Sequence, residues 1–184
     1  MNIAGHNLIF VFDLDNTLVK TNVANNESYK EAIRDIAGID ISLNARKRFT
    51  RTELKRSLPD LSDSQISDIV EKKQSVFIKY IEKTILNNNL FSILKALHAC
   101  GNKTLLLTNC HKERAMKVCE YYGLVSFFNE MFFCEDYPHR NKYKFLIDKD
   151  YNLDSIVLFE NEKRISSQAL EYGIEKQNII RVKF

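Results

Sequence analysis

The sequence lacks several features that would assign the protein to a special class. Its four cysteines form no C-x-x-C pair and are not spaced like zinc ligands, so neither a disulfide framework nor a zinc site is predicted. Reduced thiols are expected instead at Cys100, Cys110, Cys119 and Cys134. Lys and Arg number 27 against 24 Asp and Glu. Because the two charges are nearly balanced, the composition indicates neither a nucleic-acid nor a membrane partner.

The amino-terminal stretch "MNIAGHNLIFVFDLDN" lacks the marks of a targeting or membrane segment. It has no basic leader and no small-residue cleavage site. Its apolar run ends at Asp13, well short of the roughly 20 residues that span a bilayer. We therefore expect a cytoplasmic protein, with one core and room for a small subdomain in its 184 residues.

What the sequence does contain is a series of short apolar runs separated by amphipathic stretches. Such runs without polar alternation are typical of strands that are covered on both faces. They lie at residues 8–12, 104–108, 155–159 and 179–182, and a fifth strand is expected at residues 130–134. The stretches between the later runs predict helices, with helix-ending glycines at Gly123 and Gly173. This alternation indicates an α/β fold with a parallel sheet.

Residues 20–88 interrupt this pattern, because they have the sequence of helices throughout. Within them, "SDSQ" after Leu61 can form a capping box at the start of a helix. The polar stretches at residues 20–26 and 87–89 are interpreted either as hinges or as ordinary surface connections. The predicted domains are a core of residues 1–19 and 89–184 and a helical subdomain of residues 20–88.

The segment "VFDLDNTLV" places two carboxylates, Asp13 and Asp15, at the end of the first apolar run. Isolated charges are costly to bury and usually acquire a partner or a shifted pKa. In open parallel sheets ligands bind at the carboxyl ends of strands, where both side chains can turn into one crevice. There one carboxylate can act as a nucleophile or magnesium ligand and the other as a general acid. The alternative is an Asp pair that caps a helix or forms a turn.

The order of the motifs resembles the haloacid dehalogenase superfamily of phosphohydrolases over essentially the whole chain. "DLDNT" is followed by a helical insert, by a strand ending in Thr108 and Asn109, by a lysine at a helix start, and by a strand ending in acids. The resemblance implies a Rossmann-like core with a small helical cap inserted after the first strand. It also implies Mg²⁺-dependent hydrolysis of a small soluble phosphomonoester through an aspartyl-phosphate. The expected partner is therefore a small phosphate ester, and the oligomeric state stays open.

The same resemblance implies a role for each motif residue. Asp13 would attack phosphorus, while Asp15 would protonate the leaving alcohol and later deprotonate the water. The Asp13 carboxylate and the Asp15 backbone carbonyl would bind Mg²⁺, a cation suited to oxygen ligands, and Thr17 would support the loop. Thr108 would hydrogen-bond the phosphoryl group, with Asn109 beside it at the substrate.

The later motifs leave one choice open and depart from the family pattern at one position. The phosphate-binding lysine is either Lys142 or Lys144, and Lys142 is favoured because it lies nearer the expected helix start. After the third apolar run, Glu160 and Asn161 are the candidate metal ligands, but Asn161 stands where an aspartate is expected. An amide oxygen can ligate Mg²⁺ yet brings no charge. The alternatives are a catalytically weakened binding or regulatory module and a mutase that transfers the phosphoryl group to a second hydroxyl.

The helical insert also carries the basic run "RKRFTRTELKR" at residues 46–56. On a helix through this run, Arg48, Arg51 and Lys55 would share one face. If that face looks into the site, it favours anionic substrates such as phosphorylated acids, sugar phosphates or nucleotides, with Arg48 as a substrate-binding residue. If it looks outward, it is a solvated helix surface. Substrate identity stays open, because the sequence does not show which side chains of the insert face the site.

Overall fold

The structure, a computed structural model, describes residues 8–137 and 141–184, so the first seven residues of the predicted core domain lie outside it. The described residues form two compact units. One is Lys20–Ile85, and the other consists of the chain before and after that segment. Every helix within the described residues is too short or too polar to cross a membrane.

The larger unit contains a five-stranded sheet in which all neighbouring strands are parallel. The strands of the described residues are β1 (Ile9–Phe12), β2 (Val19–Lys20), β3 (Ile85–Leu86), β4 (Lys103–Leu107), β5 (Glu130–Phe132), β6 (Ile156–Glu160) and β7 (Ile179–Arg181). The strand order of the sheet is β5-β4-β1-β6-β7, and β2 pairs separately with β3. The predicted α/β fold with a parallel sheet is confirmed, with strand ends that agree with the prediction to within two residues.

In the larger unit, helices alternate with the strands of the sheet along the chain. The described α-helices are α1 (Asn22–Ala37), α2 (Arg51–Ser57), α3 (Asp63–Val76), α4 (Asn88–Ala99), α5 (Lys112–Tyr121), α6 (Lys142–Asp148) and α7 (Lys163–Glu171). Successive strand residues point to opposite faces, yet Leu105, Leu106 and Leu107 are all fully buried. Both faces of the central strands are therefore covered, which explains why their sequences are apolar without alternation.

The smaller unit is helical and has its own apolar core. It contains α1, α2, α3 and a 3₁₀ segment, Phe77–Lys83. Helices α1 and α3 pack together through buried side chains that include Ile33 and Ile69. At the start of α3, Ser62 and Gln65 form the predicted capping box, in which each side chain accepts the other residue's backbone N–H.

The basic run in this unit is helical only in its second half. Thr50 caps α2, because its hydroxyl oxygen accepts the Glu53 N–H at 3.2 Å and the Glu53 carboxylate accepts the Thr50 N–H at 2.9 Å. The helix therefore starts at Arg51, after Arg48. The prediction that Arg48 shares a helical face with Arg51 and Lys55 is wrong for Arg48, since a reciprocal cap fixes the helix start.

Most of the polar stretch at residues 20–26 is helical, because residues 22–26 form the first turns of α1, whereas the sequence predicts a hinge or a surface connection there. Asn25 and Asn26 are buried within it. The Asn26 amide nitrogen donates to the Lys47 carbonyl at 2.8 Å, and its oxygen accepts the Phe49 N–H at 2.9 Å. Asn25 donates to the Phe49 carbonyl at 2.9 Å. These buried amides satisfy the backbone of the segment before α2, which explains why polar residues occur inside the unit.

Candidate active site

The first motif forms a tight loop at the carboxyl end of β1. The backbone N–H of Asp13 donates to the Phe159 carbonyl of β6 at 3.1 Å, so the pairing continues one residue beyond the strand. The chain then turns through Asn16, whose φ of 59° is tolerated better by asparagine than by most residues. Within the loop, the Thr17 hydroxyl donates to Asp13 Oδ2 at 3.0 Å. The buried Asp13 carboxylate is thereby fixed at the edge of the sheet.

Lys142 joins the ends of three strands. It lies in the first turn of α6, which Asn141 caps by accepting the backbone N–H of Lys144 at 3.1 Å. Its Nζ lies 3.3 Å from Asp13 Oδ1, 2.7 Å from Glu160 Oε2 and 3.3 Å from the carbonyl of the last β4 residue. Although burial disfavours the ammonium, the carboxylates of Asp13 and Glu160 raise the pKa of Lys142 well above its ordinary value. A permanent cation therefore lies beside Asp13.

The second candidate lysine is engaged elsewhere. Lys144 Nζ lies 2.8 Å from both carboxylate oxygens of Asp148, one turn further along α6, and half of its side chain is exposed. The structure thus brings Lys142 to Asp13 and leaves Lys144 in a surface ion pair. A surface pair of this kind contributes little to stability.

The Asp13 carboxyl group is in an environment that disfavours its charge. Burial, and then the negative charges of Glu160 and Asp15, raise the pKa of Asp13 from its ordinary 3.8 to about 7, although Lys142 and the Thr17 hydroxyl act in the opposite direction. One lysine shared with Glu160 does not offset the burial of this carboxylate. An additional cation at this point would therefore be stabilised by Asp13.

The end of β6 contributes one residue that is fully engaged and one that faces the loop. Glu160 Oε1 accepts the backbone N–H groups of Asn161 and Glu162 at 2.9 and 3.0 Å, while its Oε2 contacts Lys142. Its carboxylate is therefore occupied in orienting Lys142. The Thr17 hydroxyl oxygen also lies 3.1 Å from Asn161 Oδ1, so its one proton is shared between the oxygens of Asp13 and Asn161. Carboxylate and amide oxygens are donors that Mg²⁺ accepts.

Thr108 follows β4, the strand next to β1, at the same edge of the sheet. Its side chain is buried, its N–H donates to the Phe132 carbonyl at 3.1 Å, and its carbonyl accepts the Tyr137 hydroxyl. Its own hydroxyl oxygen accepts the Cys110 N–H at 3.2 Å. A hydroxyl that accepts one hydrogen bond can still donate its proton. Asn109, the next residue, is exposed.

Asp15 has a partner, Arg114, that lies outside the sequence motifs. The two terminal nitrogens of Arg114 donate to the two carboxylate oxygens of Asp15, at 3.0 Å and 2.6 Å. Although burial disfavours the guanidinium, the charge of Asp15 raises the pKa of Arg114 further above its ordinary value. The sequence held a signal for this residue, since Arg114 shares the buried face of α5 with Ala115 and Val118. A charged residue at a core position indicates a buried partner.

Arg48, the predicted substrate-binding residue of the helical unit, donates from Nη1 to the Thr21 hydroxyl at 2.8 Å. This contact lies within that unit, near the start of α1. Arg48 therefore orders the segment before α2. Its role toward a substrate stays a prediction.

A second polar cluster lies at the start of α5. The side chains of His111, Cys134 and Glu135 each offer an atom that could bind a metal ion, and these atoms lie within 4.8 Å of one another. The Glu135 carboxylate accepts the Lys112 N–H at 3.1 and 3.0 Å and lies 2.8 Å from His111 Nδ1. A carboxylate that accepts the first N–H group of a helix stabilises the helix start. These contacts account for the cluster as a cap on α5.

Comparisons with known proteins identify a family and a fold for the chain. The family model of haloacid dehalogenase-like hydrolases matches residues 10–164. No curated protein shows significant sequence similarity to the chain.

Solved structures show the same fold at low sequence identity. A haloacid dehalogenase-like hydrolase from Streptococcus pneumoniae is 18% identical with a TM-score of 0.74, and the match covers 91% of this chain and 82% of that one. CbbY from Rhodobacter sphaeroides in complex with phosphate is 15% identical with a TM-score of 0.74, over 91% and 83% of the two chains. A predicted phosphoglycolate phosphatase from Haemophilus somnus is 16% identical with a TM-score of 0.73, over 92% and 84%.

Proposed function

Since the chain belongs to the haloacid dehalogenase-like hydrolase family, we propose that it is a phosphatase that hydrolyses a small phosphate ester through an aspartyl-phosphate on Asp13. The observation that carries the proposal is the placement of Asp13. Its carboxylate is buried at the carboxyl edge of the sheet, with one oxygen 3.3 Å from Lys142 Nζ and the other 3.0 Å from the Thr17 hydroxyl. A nucleophilic carboxylate needs a fixed orientation and a nearby cation, and both are present.

In the first step, an oxygen of Asp13 attacks phosphorus, and the bond between phosphorus and the ester oxygen breaks. The leaving alkoxide takes a proton from Asp15, so a neutral alcohol departs. In the second step, Asp15 accepts a proton from water while the water oxygen attacks phosphorus, which releases phosphate and regenerates Asp13. Thr108 donates its hydroxyl proton to a phosphoryl oxygen, and Lys142 supplies positive charge beside the reacting group.

The donor set at the loop fits a magnesium ion. The raised pKa of Asp13 indicates that the carboxylate is short of positive charge, and the oxygens around it are those a hard cation prefers. We propose that the Asp13 carboxylate, the Asp15 backbone carbonyl and the Asn161 amide oxygen would hold the ion. When bound, Mg²⁺ would neutralise negative charge on the phosphoryl group. Glu160 contributes indirectly, since Lys142 and two backbone N–H groups occupy its carboxylate.

The helical unit, Lys20–Ile85, is proposed to act as the cap that selects the substrate. Two structurally similar proteins suggest which esters to test first. CbbY was solved with phosphate and, as a variant, with xylulose-(1,5)bisphosphate, and another similar structure is a predicted phosphoglycolate phosphatase. Sugar phosphates and phosphorylated acids are therefore the first classes to test.

A second candidate function is a binding module of the same fold with weakened turnover. The observation that favours it is Asn161, which brings an uncharged ligand to a position beside Asp13. Lower ligand charge lowers the affinity for a cation. The two candidates differ in whether phosphate is released when magnesium is saturating.

The test is magnesium-dependent phosphate release from a panel of sugar phosphates, phosphorylated acids and nucleotides. The Asp13→Asn variant is measured beside the wild type, and circular dichroism verifies that both are folded. We expect turnover that requires both magnesium and Asp13. Turnover equal to the Asp13→Asn background in saturating magnesium would overturn the phosphatase proposal and favour the binding module. Product analysis also distinguishes hydrolysis from transfer, because a mutase returns a phosphorylated isomer instead of phosphate.

A further inference from the structure

Arg114 and Asp15 form a two-point contact at the candidate site. Nη1 and Nη2 of Arg114 donate to Oδ1 and Oδ2 of Asp15 at 3.0 and 2.6 Å. The Arg114 side chain is 5% exposed and that of Asp15 is 17% exposed. A planar guanidinium that contacts both oxygens of a carboxylate fixes its plane as well as its position.

We propose that Arg114 is a positioning residue, which holds the Asp15 carboxylate in the orientation that proton transfer requires. This proposal rests on the proposed role of Asp15 as the acid and base of a phosphatase. Arg114 comes from α5, whose start follows Thr108 by only a few residues, so the same segment supplies both the phosphoryl contact and the support for Asp15. A carboxylate group has about four acceptor sites, and the guanidinium uses two of them. The two hydrogen bonds from Arg114 therefore do not by themselves use all the acceptor sites of Asp15.

Asp15 needs such support more than Asp13 does. Thr17 and Lys142 hold the two oxygens of Asp13. Asp15 lies in the turn beyond the strand, immediately before Asn16, whose φ is positive. Two hydrogen bonds from Arg114 fix the orientation of its carboxylate. Proton transfer depends on orientation, so a displacement of this group lowers the rate.

The test separates esters by how much their leaving group needs a proton. An alkyl phosphate, chosen from the substrates that the wild type hydrolyses, leaves as a poor alkoxide and needs the acid. p-Nitrophenyl phosphate leaves as a stable phenolate and needs it little. The parameter kcat/KM is measured for both, because it reports only the steps up to departure of the leaving group. The variants are Arg114→Lys and Arg114→Ala, with Asp15→Asn as the reference for complete loss of the acid.

We expect Arg114→Lys to lower kcat/KM about tenfold or more for the alkyl ester and less than about threefold for p-nitrophenyl phosphate. The lysine keeps the positive charge but cannot contact both carboxylate oxygens. We expect guanidinium ion, at concentrations too low to unfold the protein, to restore part of the alkyl-ester activity of Arg114→Ala. Lys117→Ala is the matched control, since Lys117 lies on the same helix, is 41% exposed and contacts Glu113.

The double variant decides whether Arg114 acts through Asp15. If it does, Arg114→Lys in the Asp15→Asn background causes no further loss. Equal losses for both esters, or losses that multiply in the double variant, would show a structural role only and overturn the proposal. The folded state of each variant is verified by thermal unfolding, and Arg114→Lys carries the test if Arg114→Ala does not fold. If Asp15→Asn lowers kcat/KM equally for both esters, Asp15 is not the acid of the reaction. That result overturns the proposed role of Asp15, whatever the Arg114 variants show.

Discussion

Asp13 and Asp15 lie two residues apart in one loop, but their surroundings differ. Asp13 is buried, shares Lys142 with Glu160, and has a pKa raised to about 7. Asp15 is partly exposed and has both oxygens paired with the guanidinium of Arg114. One carboxylate therefore shares its nearby cation with another acid, while the other is paired through both oxygens.

This difference suits the two identical side chains to the different roles proposed for them. The environment of a carboxyl group, rather than its type, decides whether it binds a cation, attacks or exchanges protons. The shared lysine leaves Asp13 with an affinity for further positive charge, as a magnesium ligand and nucleophile requires. The two-point contact gives Asp15 a fixed orientation, as a proton-transfer group requires.

The largest expected effect comes from removing the cation on the Asp13 side. Lys142→Met should lower kcat/KM for phosphate release at least about 10³-fold, because the charge beside the reacting phosphoryl group is lost. Burial of Asp13 and Glu160 without their shared ammonium should also destabilise the protein by about 3 kcal/mol. Steady-state kinetics in saturating magnesium and urea unfolding measure the two effects.

Lys144→Met is the matched control for this prediction. Lys144 lies two residues away on the same helix but pairs with Asp148 at the surface. We expect a change in kcat/KM of less than about threefold and a change in stability below about 0.5 kcal/mol. A larger loss for Lys144→Met than for Lys142→Met would contradict the assignment of Lys142 to the reacting group.

The next effect concerns the stability of the metal-free protein. Because the pKa of Asp13 is raised from 3.8 to about 7, the folded state binds more protons at this residue than the unfolded state between these pH values. Its contribution to the free energy of unfolding therefore falls as the pH rises, by about 2 kcal/mol from pH 5 to pH 7, and changes little above pH 7.

Urea unfolding in EDTA, at pH values from 5 to 8, measures this dependence. The Asp13→Asn variant is the control, because its amide does not titrate while other groups still do. We expect the wild type to lose stability relative to the variant as the pH rises. Parallel curves for the two proteins would show that Asp13 titrates at its ordinary pKa.

Much of the fold could be predicted from the sequence. A strand buried on both faces is a continuous apolar run, which can be recognised without knowing which strands it pairs with. The capping box at Ser62 is likewise a local pattern. The start of α6 is also marked by nearby residues, so Lys142 could be favoured over Lys144 as the lysine closer to that start.

Contacts between distant segments could not be predicted in this way. Arg114 lies 99 residues from Asp15, and nothing near either residue in the sequence specifies the other. In the helical unit, Asn26 resembles a polar connection in sequence, but it is buried against the backbone of Lys47. Local composition therefore predicts the elements, whereas the partner of a buried polar group depends on the tertiary fold.

The smallest expected effect comes from increasing the negative charge on the Asp13 side. Asn161 uses its Oδ1 to accept the Thr17 hydroxyl at 3.1 Å, and a carboxylate at this position can accept the same hydrogen bond. Asn161→Asp should therefore keep the loop in place while it adds one negative charge beside the proposed magnesium site. We expect the magnesium concentration for half-maximal activity to fall about tenfold, which corresponds to about 1.4 kcal/mol.

The control for this change holds the net charge constant. Glu162 is exposed at the start of α7, so the double variant Asn161→Asp/Glu162→Gln adds the carboxylate beside Thr17 and removes one from the surface. If the lower magnesium requirement persists in the double variant, it arises from the oxygen ligand beside Asp13. If it disappears, the effect was one of net charge, and position 161 would not be a magnesium ligand in either protein. The Asn161→Asp change therefore adds negative charge near Asp13 and leaves the contact between Asp15 and Arg114 unchanged, so it increases the electrostatic difference between the surroundings of the two carboxylates.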